Sequence, residues 1–449
     1  MSLPPPAAET LNSDGAGGGD GPAGISPRSF ITADLPGIGG VIKARPEDFL
    51  VDEIPAYSPG GTGEHLYLFV EKRNLSTLEA VRVLADHFGV ESEAIGFAGM
   101  KDRVAITRQL FSVHIPKKKP EDFPSLDHER LKIEWADLHT NKLRTGHLTG
   151  NRFSIRIRGV SFARVREASA ILNRLTERGV PNRFGPQRFG RAGNNHLIGR
   201  ALFRNDFEGA IEEMLAPQAR TTEAHEQAKE FYRKGDFGSA LGCLPRSSHP
   251  ERHVLRSLAK GERPSRAVKT LDRSALKFFL SAFQSAVFNL VLEERLRAGS
   301  FDRLLEGDVA MKHENRACFD VDAAVAGDAA TAERLRSFEI SPSGPMWSAG
   351  MRRAGGEPGQ IELRCLEKLG VSEADLSAFD SRAGRMIEGA RRPLRVPVAY
   401  PEIDAGADEH GEYVRVAFDL PRGAFATVVL EEIMKTGLRE QGDLEEESE

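Results

Sequence analysis

The order of strand-like and helix-like segments along this chain limits the fold more than any other feature of the sequence. Segments typical of strands occur at 49–54, 65–70, 106–115, 152–160 and 413–420. From about residue 190 the chain is instead rich in helical patterns with acidic surfaces. Because strand character returns near the carboxyl end, the sequence predicts a sheet that is interrupted by an inserted unit.

Helices are predicted beside these strands. Ser76 and Glu79 have the spacing of a capping box, which predicts a helix that ends near Gly89. Apolar positions in phase predict a second helix over about 162–178. The apolar stripe within 274–297 indicates a core helix rather than a cofactor site.

The segment 152–160 shows the cleanest alternation in the chain. Its phenylalanine and isoleucines occupy alternate positions and would pack on one face of a sheet. Arg152, Arg156 and Arg158 would share the opposite face. The pattern therefore predicts one packed face and one cationic face.

Charge is distributed unevenly along the chain. The 449 residues include 61 Lys and Arg against 66 Asp and Glu, which gives a formal net charge of −5. Residues 101–200 alone carry 21 basic and 9 acidic side chains, a local balance of +12. Such a block is typical either of a solvated surface or of a surface that binds a phosphate backbone, and the sequence leaves both open.

Cysteine usage and hydropathy limit the protein class. The three cysteines, Cys243, Cys318 and Cys365, are far apart and odd in number, so neither a disulfide framework nor a metal knuckle is predicted. We find no apolar run of the roughly 18 residues that a membrane helix needs. We therefore expect a cytoplasmic protein with no membrane segment.

The two ends of the chain differ from the rest in composition. Residues 1–28 are rich in Pro, Gly, Ala and Ser, which predicts a disordered leader. Residues 438–449 are rich in acidic side chains, which predicts a disordered acidic tail.

The segment 96–107 contains the residue of this chain that is best suited to a chemical role, Asp102. Its two glycines resemble those of a phosphate loop, but Asp102 follows Lys101 where that motif requires Ser or Thr. A carboxylate between Lys101 and Arg103 stays ionised and could act as a nucleophile or a base. Asp102 could equally cap a turn or form a surface ion pair.

Residues 96–107, Gly-Phe-Ala-Gly-Met-Lys-Asp-Arg-Val-Ala-Ile-Thr, closely resemble the signature of the TruD family of tRNA pseudouridine synthases. Further segments resemble family motifs in the family's order, at 43–49, 63–65, 150–153, 182–190, 391–397 and 418–423. The resemblance extends from about residue 38 to 435. Several spaced motifs in one order are far more specific than a single match.

The resemblance implies roles for particular residues. Asp102 would be the catalytic residue. The residues implied in substrate binding are Phe49, Lys101, Asn151, Phe153 and Lys43. Those implied in contacts with the RNA backbone are Arg103, Lys142, Arg144, Arg152, Arg183 and Arg188. Asn151 would hydrogen-bond Asp102 or the uracil edge, and the two phenylalanines would stack on the base unless they are ordinary sheet core.

The resemblance also implies a fold and a reaction. We expect an α+β fold with a mixed, largely antiparallel sheet and helices, formed by 30–184 and 361–437, with an inserted α/β domain at 185–360. The implied reaction converts a uridine of tRNA, expected at position thirteen, to pseudouridine without cofactor or metal, and the protein is expected to be a monomer. The alternatives are a non-catalytic RNA-binding protein that retains the fold, and a metal-dependent nuclease, which would need clustered acidic residues or histidines.

Overall fold

The computed structural model describes residues 28–190, 192–217, 222–384 and 386–436. The predicted leader, except for Arg28, and the predicted acidic tail lie outside this part of the chain. The strands are β1 (Phe49–Pro55), β2 (His65–Arg73), β3 (Ile95–Phe97), β4 (Ile106–His114), β5 (Leu131–His139), β6 (Leu148–Arg158), β7 (Val180–Pro181), β8 (Val309–Lys312), β9 (Cys318–Asp320), β10 (Ile340–Met346), β11 (Ala390–Pro393), β12 (Arg395–Val396), β13 (Ala399–Asp408) and β14 (Gly411–Pro421). The α-helices are α1 (Thr77–Phe88), α2 (Val165–Arg178), α3 (Asn195–Phe203), α4 (Phe207–Met214), α5 (Thr222–Arg233), α6 (Phe237–Cys243), α7 (His249–Ala259), α8 (Pro264–Lys269), α9 (Arg273–Arg297), α10 (Ala323–Gly327), α11 (Ala329–Arg336), α12 (Gly356–Lys368), α13 (Glu373–Ala383) and α14 (Ala426–Met434).

The main sheet has eight strands. Seven of them run in the order β13-β14-β6-β1-β4-β2-β5, and β3 also pairs with β4. Strands β1 and β4 are parallel, and the other pairings in this sheet are antiparallel. The expected α+β fold with a mixed, largely antiparallel sheet is therefore confirmed.

Strand β4 is shared between two partners along its length. The part of β4 that starts at Ile106 pairs with β1, and the later part from Phe111 to Val113 pairs with β3. The chain between β3 and β4, residues 98–105, therefore returns along the sheet from the end of β3 to the start of β4. We call this segment the 98–105 loop.

Helix α1 forms where the sequence predicted it. The Ser76 side chain accepts a hydrogen bond from the Glu79 backbone N–H, and the Glu79 carboxylate accepts one from the Ser76 N–H, which completes the capping box. Gly89 ends the helix with a left-handed φ of 62°, a conformation that favours glycine. Apolar residues of α1 pack on β2 and β4.

Two further cores lie in other parts of the molecule. The sheet core joins β1, β6 and β14 to α2 and α14. The helical core includes residues of α3–α9, α12 and α13. Helix α9 contributes Phe283 and Leu290 to the helical core and Phe288 and Leu292 to the sheet core. Contrary to the sequence analysis, it is long and apolar enough to cross a membrane, but 78% of its most apolar window is buried inside the protein, so it serves as a core helix as predicted.

The predicted insertion contributes three strands to a second sheet, and the fourth strand, β11, follows it in the chain. Strands β11-β10-β8-β9 form a four-stranded antiparallel sheet. Helices α12 and α13 pack in the helical core through Ile361, Leu366, Leu376 and Phe379. The expected boundaries at 184/185 and 360/361 stay predictions, and this packing favours placing the second boundary after α13.

The predicted cationic face of β6 needs correction, because carboxylates balance its three arginines. The ion pairs are Arg152 with Glu402 and Asp419, Arg156 with Asp408, and Arg158 with Asp48 and Asp408. Most of these acidic residues lie on β13 and β14, which are distant in sequence. The alternation along β6 was right, but the charge of the whole face depends on its neighbouring strands.

Candidate active site

The 98–105 loop lies over a polar region of the packed face of the main sheet. We call this region, which contains Glu53 and Gln109, the gap between two apolar regions. On one side of the gap the sheet core begins with Phe49 and Val51 of β1. On the other side, β2 and β4 pack against α1. Between these apolar regions, Glu53 and Gln109 are buried polar side chains on the strands. Buried polar groups need hydrogen-bond partners, and the loop supplies several of them.

Asp102 lies on this loop with 40% of its side chain exposed. Its Oδ2 is 3.5 Å from Nζ of Lys43, whose side chain is only 8% exposed. The same Nζ lies 4.9 Å from the centroid of the Phe49 ring. Asp102 therefore combines access to solvent with a fixed positive neighbour, which is the environment that a carboxylate nucleophile or base requires.

Lys101 points the other way, into the gap. Its Nζ donates hydrogen bonds to Oε2 of Glu53 at 2.8 Å and to Oδ1 of Asn151 at 2.7 Å. The Glu53 carboxylate is fully buried and also accepts the backbone N–H of Leu110 at 3.2 Å. A buried ion pair with this many hydrogen bonds holds Lys101, and thereby the adjacent Asp102, in one position.

Of the contacts that fix the backbone of the loop, the first comes from a buried lysine. Nζ of Lys72, a residue with no exposed surface, donates to the carbonyl of Asp102 at 3.0 Å and to the carbonyl of Leu75 at 2.6 Å. Burial lowers the pKa of Lys72 to about 8, and the positive charge of Lys101 acts in the same direction while Asp102 opposes it.

The second contact comes from the first residue of α1. Oγ1 of Thr77 accepts the backbone N–H of Lys101 at 2.9 Å and donates to Oε1 of Gln109 at 3.2 Å. Gln109 in turn donates to the carbonyl of Gly99 at 3.1 Å. The start of α1 and the middle of β4 therefore hold the loop on both sides of Asp102.

The structure brings the predicted catalytic and substrate-binding residues together. Asn151 reaches this group through Lys101, one residue before Asp102. Phe49 and Phe153 make an edge contact with ring centroids 6.5 Å apart, and both rings are buried in the sheet core. That packing agrees with the sheet-core alternative, so a stacking role for either ring stays a prediction.

The predicted RNA-backbone residues do not form one group. Arg103 is 62% exposed beside Asp102, at 3.9 Å from Glu79. Lys142 and Arg144 line a cavity of about 590 Å³ together with Tyr57 and His147.

Arg183 and Arg152 have partners within the protein, so their contact with the RNA backbone stays a prediction. Arg183 is buried and donates to Glu293 at 2.8 Å and to the carbonyl of Ser29 at 2.7 Å, so its charge is used inside the protein. Arg152 is occupied by Glu402 and Asp419. Arg188 lies over the rings of Phe184 and Phe278.

Sequence reasoning missed Glu53, Lys72 and Thr77. A signal for the first two was present, because Glu53 alternates with Phe49 and Val51 on the packed face of β1. Lys72 likewise has the same parity as Val70 and other buried residues of β2. A charged residue on the apolar face of a strand indicates a buried partner. The role of Thr77 had no such signal, since it depends on how the loop folds back.

Comparison with known proteins identifies the family. Residues 27–433 match the family model described as tRNA pseudouridine synthase D (TruD). The chain belongs to the TruD family. The resemblance seen in the sequence motifs is therefore confirmed over nearly the whole described chain.

Individual relatives agree with this assignment. A tRNA pseudouridine synthase D from Geobacter sp. (strain M21) is 46% identical over 411 residues, which cover 91% of this chain and 99% of the relative. One from Geobacter sulfurreducens is 45% identical over 410 residues, covering 90% and 96%. A TruD crystal structure from Methanosarcina mazei superposes with a TM-score of 0.77 at 29% identity, covering 92% of this chain and 97% of that one.

Within the described residues, no group of three or more His, Cys, Asp or Glu side chains is arranged to hold a metal ion. The charged groups of the site contact each other and the loop backbone.

Proposed function

We propose that this protein converts a uridine of tRNA, at position thirteen, to pseudouridine, with Asp102 as the reacting carboxylate. The observation that carries the proposal is a partly exposed carboxylate on a loop that three buried contacts hold in place. Membership of the TruD family supplies the substrate and the reaction class.

The reaction rearranges bonds within one nucleotide. The N1–C1′ bond breaks, the base turns and C5 bonds to C1′. C5 then loses its proton and N1 gains one, so the composition of the nucleotide is unchanged. Asp102 either attacks C1′ to form an ester or removes the C2′ proton to give a glycal, and both routes need an ionised carboxylate close to the sugar. A nucleotide extruded from its stack can approach Asp102 from solvent, at a cost of a few kcal/mol that contacts with the protein must offset.

Lys43 and Lys101 have different roles in this proposal. Lys43 lies against the carboxylate and favours its ionised form. Lys101 is committed to Glu53 and Asn151, so it positions the loop and leaves the carboxylate free to react.

The test is substitution of Asp102. We expect Asp102→Asn and Asp102→Ala to form no pseudouridine while tRNA affinity is retained, as measured by nucleoside analysis of the product and by filter binding. Asp52→Asn is a matched control, because Asp52 has a similar exposure of 43% and a cation at 3.5 Å but lies on the opposite face of β1. Substantial turnover by Asp102→Ala, or equal loss in Asp52→Asn, would contradict the proposal.

The position in tRNA needs a separate measurement. Pseudouridine mapping in RNA from cells with and without this protein should show one lost site, at position thirteen of tRNA. A wild-type protein that binds tRNA but changes no uridine would favour the non-catalytic RNA-binding alternative. We also propose that the protein acts as a cytoplasmic monomer, which gel filtration and cell fractionation test.

A further inference from the structure

Three arginines from separate parts of the chain are neighbours: Arg188 and Arg392 share one aromatic ring, and Arg316 is close enough to Arg392 to act on its charge. Arg188 follows β7, Arg316 lies in the turn between β8 and β9, and Arg392 lies on β11. Arg392 lies over the Phe184 ring at 4.1 Å from its centroid, and Arg188 lies 5.7 Å from the same centroid. Arg188 also lies 5.4 Å from the ring of Phe278, which is 40% exposed.

None of these three guanidinium groups forms an ion pair with a carboxylate of the described residues. Arg392 donates to the backbone and side-chain oxygens of Asn182 and to the carbonyl of Gly423. Arg188 donates to the hydroxyl of Ser285 at 3.2 Å. These acceptors are neutral, so three positive charges lie close together without a negative charge.

Two arginines close to the cluster in sequence do form ion pairs with carboxylates. Arg391, the residue before Arg392, is buried against Glu362 with two hydrogen bonds of 2.7 and 2.9 Å. Arg183, five residues before Arg188, is paired with Glu293. Carboxylates therefore pair with Arg391 and Arg183, whereas the three arginines of the cluster have none within the described residues.

Electrostatics make the unliganded cluster unfavourable. Burial, together with the charges of Arg316 and Arg188, lowers the pKa of Arg392 to about 9. Burial also lowers the pKa of Arg188. An anion bound among the three groups would reverse both effects, because a negative charge stabilises the protonated guanidinium.

We propose that Arg188, Arg316 and Arg392 bind one phosphate group of the RNA backbone. A guanidinium donates charge-assisted hydrogen bonds to phosphate oxygens. The bonds of Arg392 to Asn182 and Gly423 use Nε and Nη2, and the bond of Arg188 to Ser285 uses Nε, so Nη1 of Arg392 and both Nη groups of Arg188 stay available for a phosphate. This proposal rests on the proposed function, since it places a second part of the same RNA.

The position of the cluster fits an RNA that also reaches Asp102. Arg392 contacts Gly423, which lies three residues after Leu420, and Leu420 is the cross-strand neighbour of Asn151. Three residues span at most about 10 Å of chain. One RNA strand can therefore contact the cluster while its extruded nucleotide lies beside Asp102.

The salt dependence of tRNA binding tests this site. The double variant Arg188→Gln/Arg316→Asn should bind a tRNA transcript more weakly, and the slope of log K against log salt concentration should fall by about 0.7–0.9 for one lost phosphate contact. Asparagine is chosen because residue 316 has a φ of 63°, which asparagine tolerates. Arg316 is exposed, so its replacement should leave the fold intact, which thermal unfolding verifies.

The control is Arg352→Gln. Arg352 and Arg316 both lie near Cys318, but Arg352 is paired with Asp320 by two hydrogen bonds. Its loss changes the net charge as the loss of Arg316 does, yet the slope should match the wild-type slope. A wild-type slope in the folded double variant, or an equal change in the control, would overturn the phosphate site.

The two proposals fail in different ways. If wild-type protein forms no pseudouridine but the double variant shows the reduced slope, the proposed function is wrong and the phosphate site stands. If wild-type protein is active and the slope of the double variant is unchanged, the phosphate site is wrong and the proposed function stands.

Discussion

Lys72 shows how a single residue can link the stability of the fold to the position of the reacting group. Its ammonium group has no exposed surface and donates to the carbonyl of Asp102. Burying a cation costs free energy. The buried ammonium group of Lys72 is therefore destabilising in itself, but it holds the 98–105 loop in place. Glu53 is also a buried charged group, and its carboxylate holds the side chain of Lys101.

The lowered pKa of Lys72 gives a prediction about stability and pH. The folded protein releases this proton near pH 8, whereas an unfolded lysine holds it to about 10.5. Between these values the unfolded chain binds more protons, so the contribution of Lys72 to the unfolding free energy rises with pH. The difference in unfolding free energy, wild type minus Lys72→Met, should therefore increase from about pH 7.5 to about pH 10 in urea titrations.

The control for this measurement is Lys132→Met. Lys132 is an exposed lysine paired with Glu134 at the sheet edge, so its removal should give a difference that stays constant over the same pH range. A constant or decreasing difference for Lys72→Met would contradict the assignment of a buried, destabilised ammonium group.

At the scale of elements, the start of α1 and the 98–105 loop act as one unit. Thr77→Val removes the acceptor of the Lys101 N–H and the donor to Gln109, leaving two buried polar groups without partners. Each such group costs about 1–3 kcal/mol, so we expect a lower unfolding free energy and, because the loop loses a tie beside Asp102, a lower turnover rate. Urea denaturation and a single-turnover assay measure the two effects.

Ser76→Ala separates helix stability from loop position. It removes the cap of the same helix at a cost of about 1 kcal/mol but leaves the Thr77 contacts in place. The folded fraction of this variant should keep its turnover rate. If Thr77→Val loses no more activity than Ser76→Ala, the helix start does not position the loop.

The elements near Asp102 could be predicted from sequence because their signals are local. The capping box gave α1, alternation gave β6 and the spaced motifs gave the position of Asp102. Strand β13 was missed because it is an edge strand that contains Pro401, Gly406 and several acidic residues, a composition that edges tolerate and that hides strand character. The charge balance on β6 and the contacts of Thr77 could not be predicted, since both depend on residues that only the folded chain brings together.

For the whole molecule, α9 and one buried ion pair connect the two large cores. Glu293 on α9 has a 1% exposed side chain and bonds Arg183 and the backbone of Ser29. The pair therefore ties together the start of the described chain, the segment after β7 and the helix that contributes to both cores. We expect the two cores to unfold together because they share this helix.

Glu293→Gln tests that expectation. It leaves the buried Arg183 without a carboxylate, which should cost about 3–5 kcal/mol of unfolding free energy. The chain has two tryptophans, Trp135 on β5 at the edge of the main sheet and Trp347 in the helical core. Fluorescence of the variants Trp135→Phe and Trp347→Phe then follows each region separately, and both transitions should shift by the same amount.

The dependence of this effect on pH provides an internal check. Burial acts to raise the pKa of Glu293, but the hydrogen bonds of Ser29 and Arg183 outweigh burial and lower it below its ordinary value. The carboxylate therefore stabilises the fold above about pH 4.3, and that contribution is lost as pH falls further. The difference between wild type and Glu293→Gln should shrink in acid. Two separate transitions, with only Trp347 responding to the substitution, would show instead that the cores unfold independently and that α9 does not couple them.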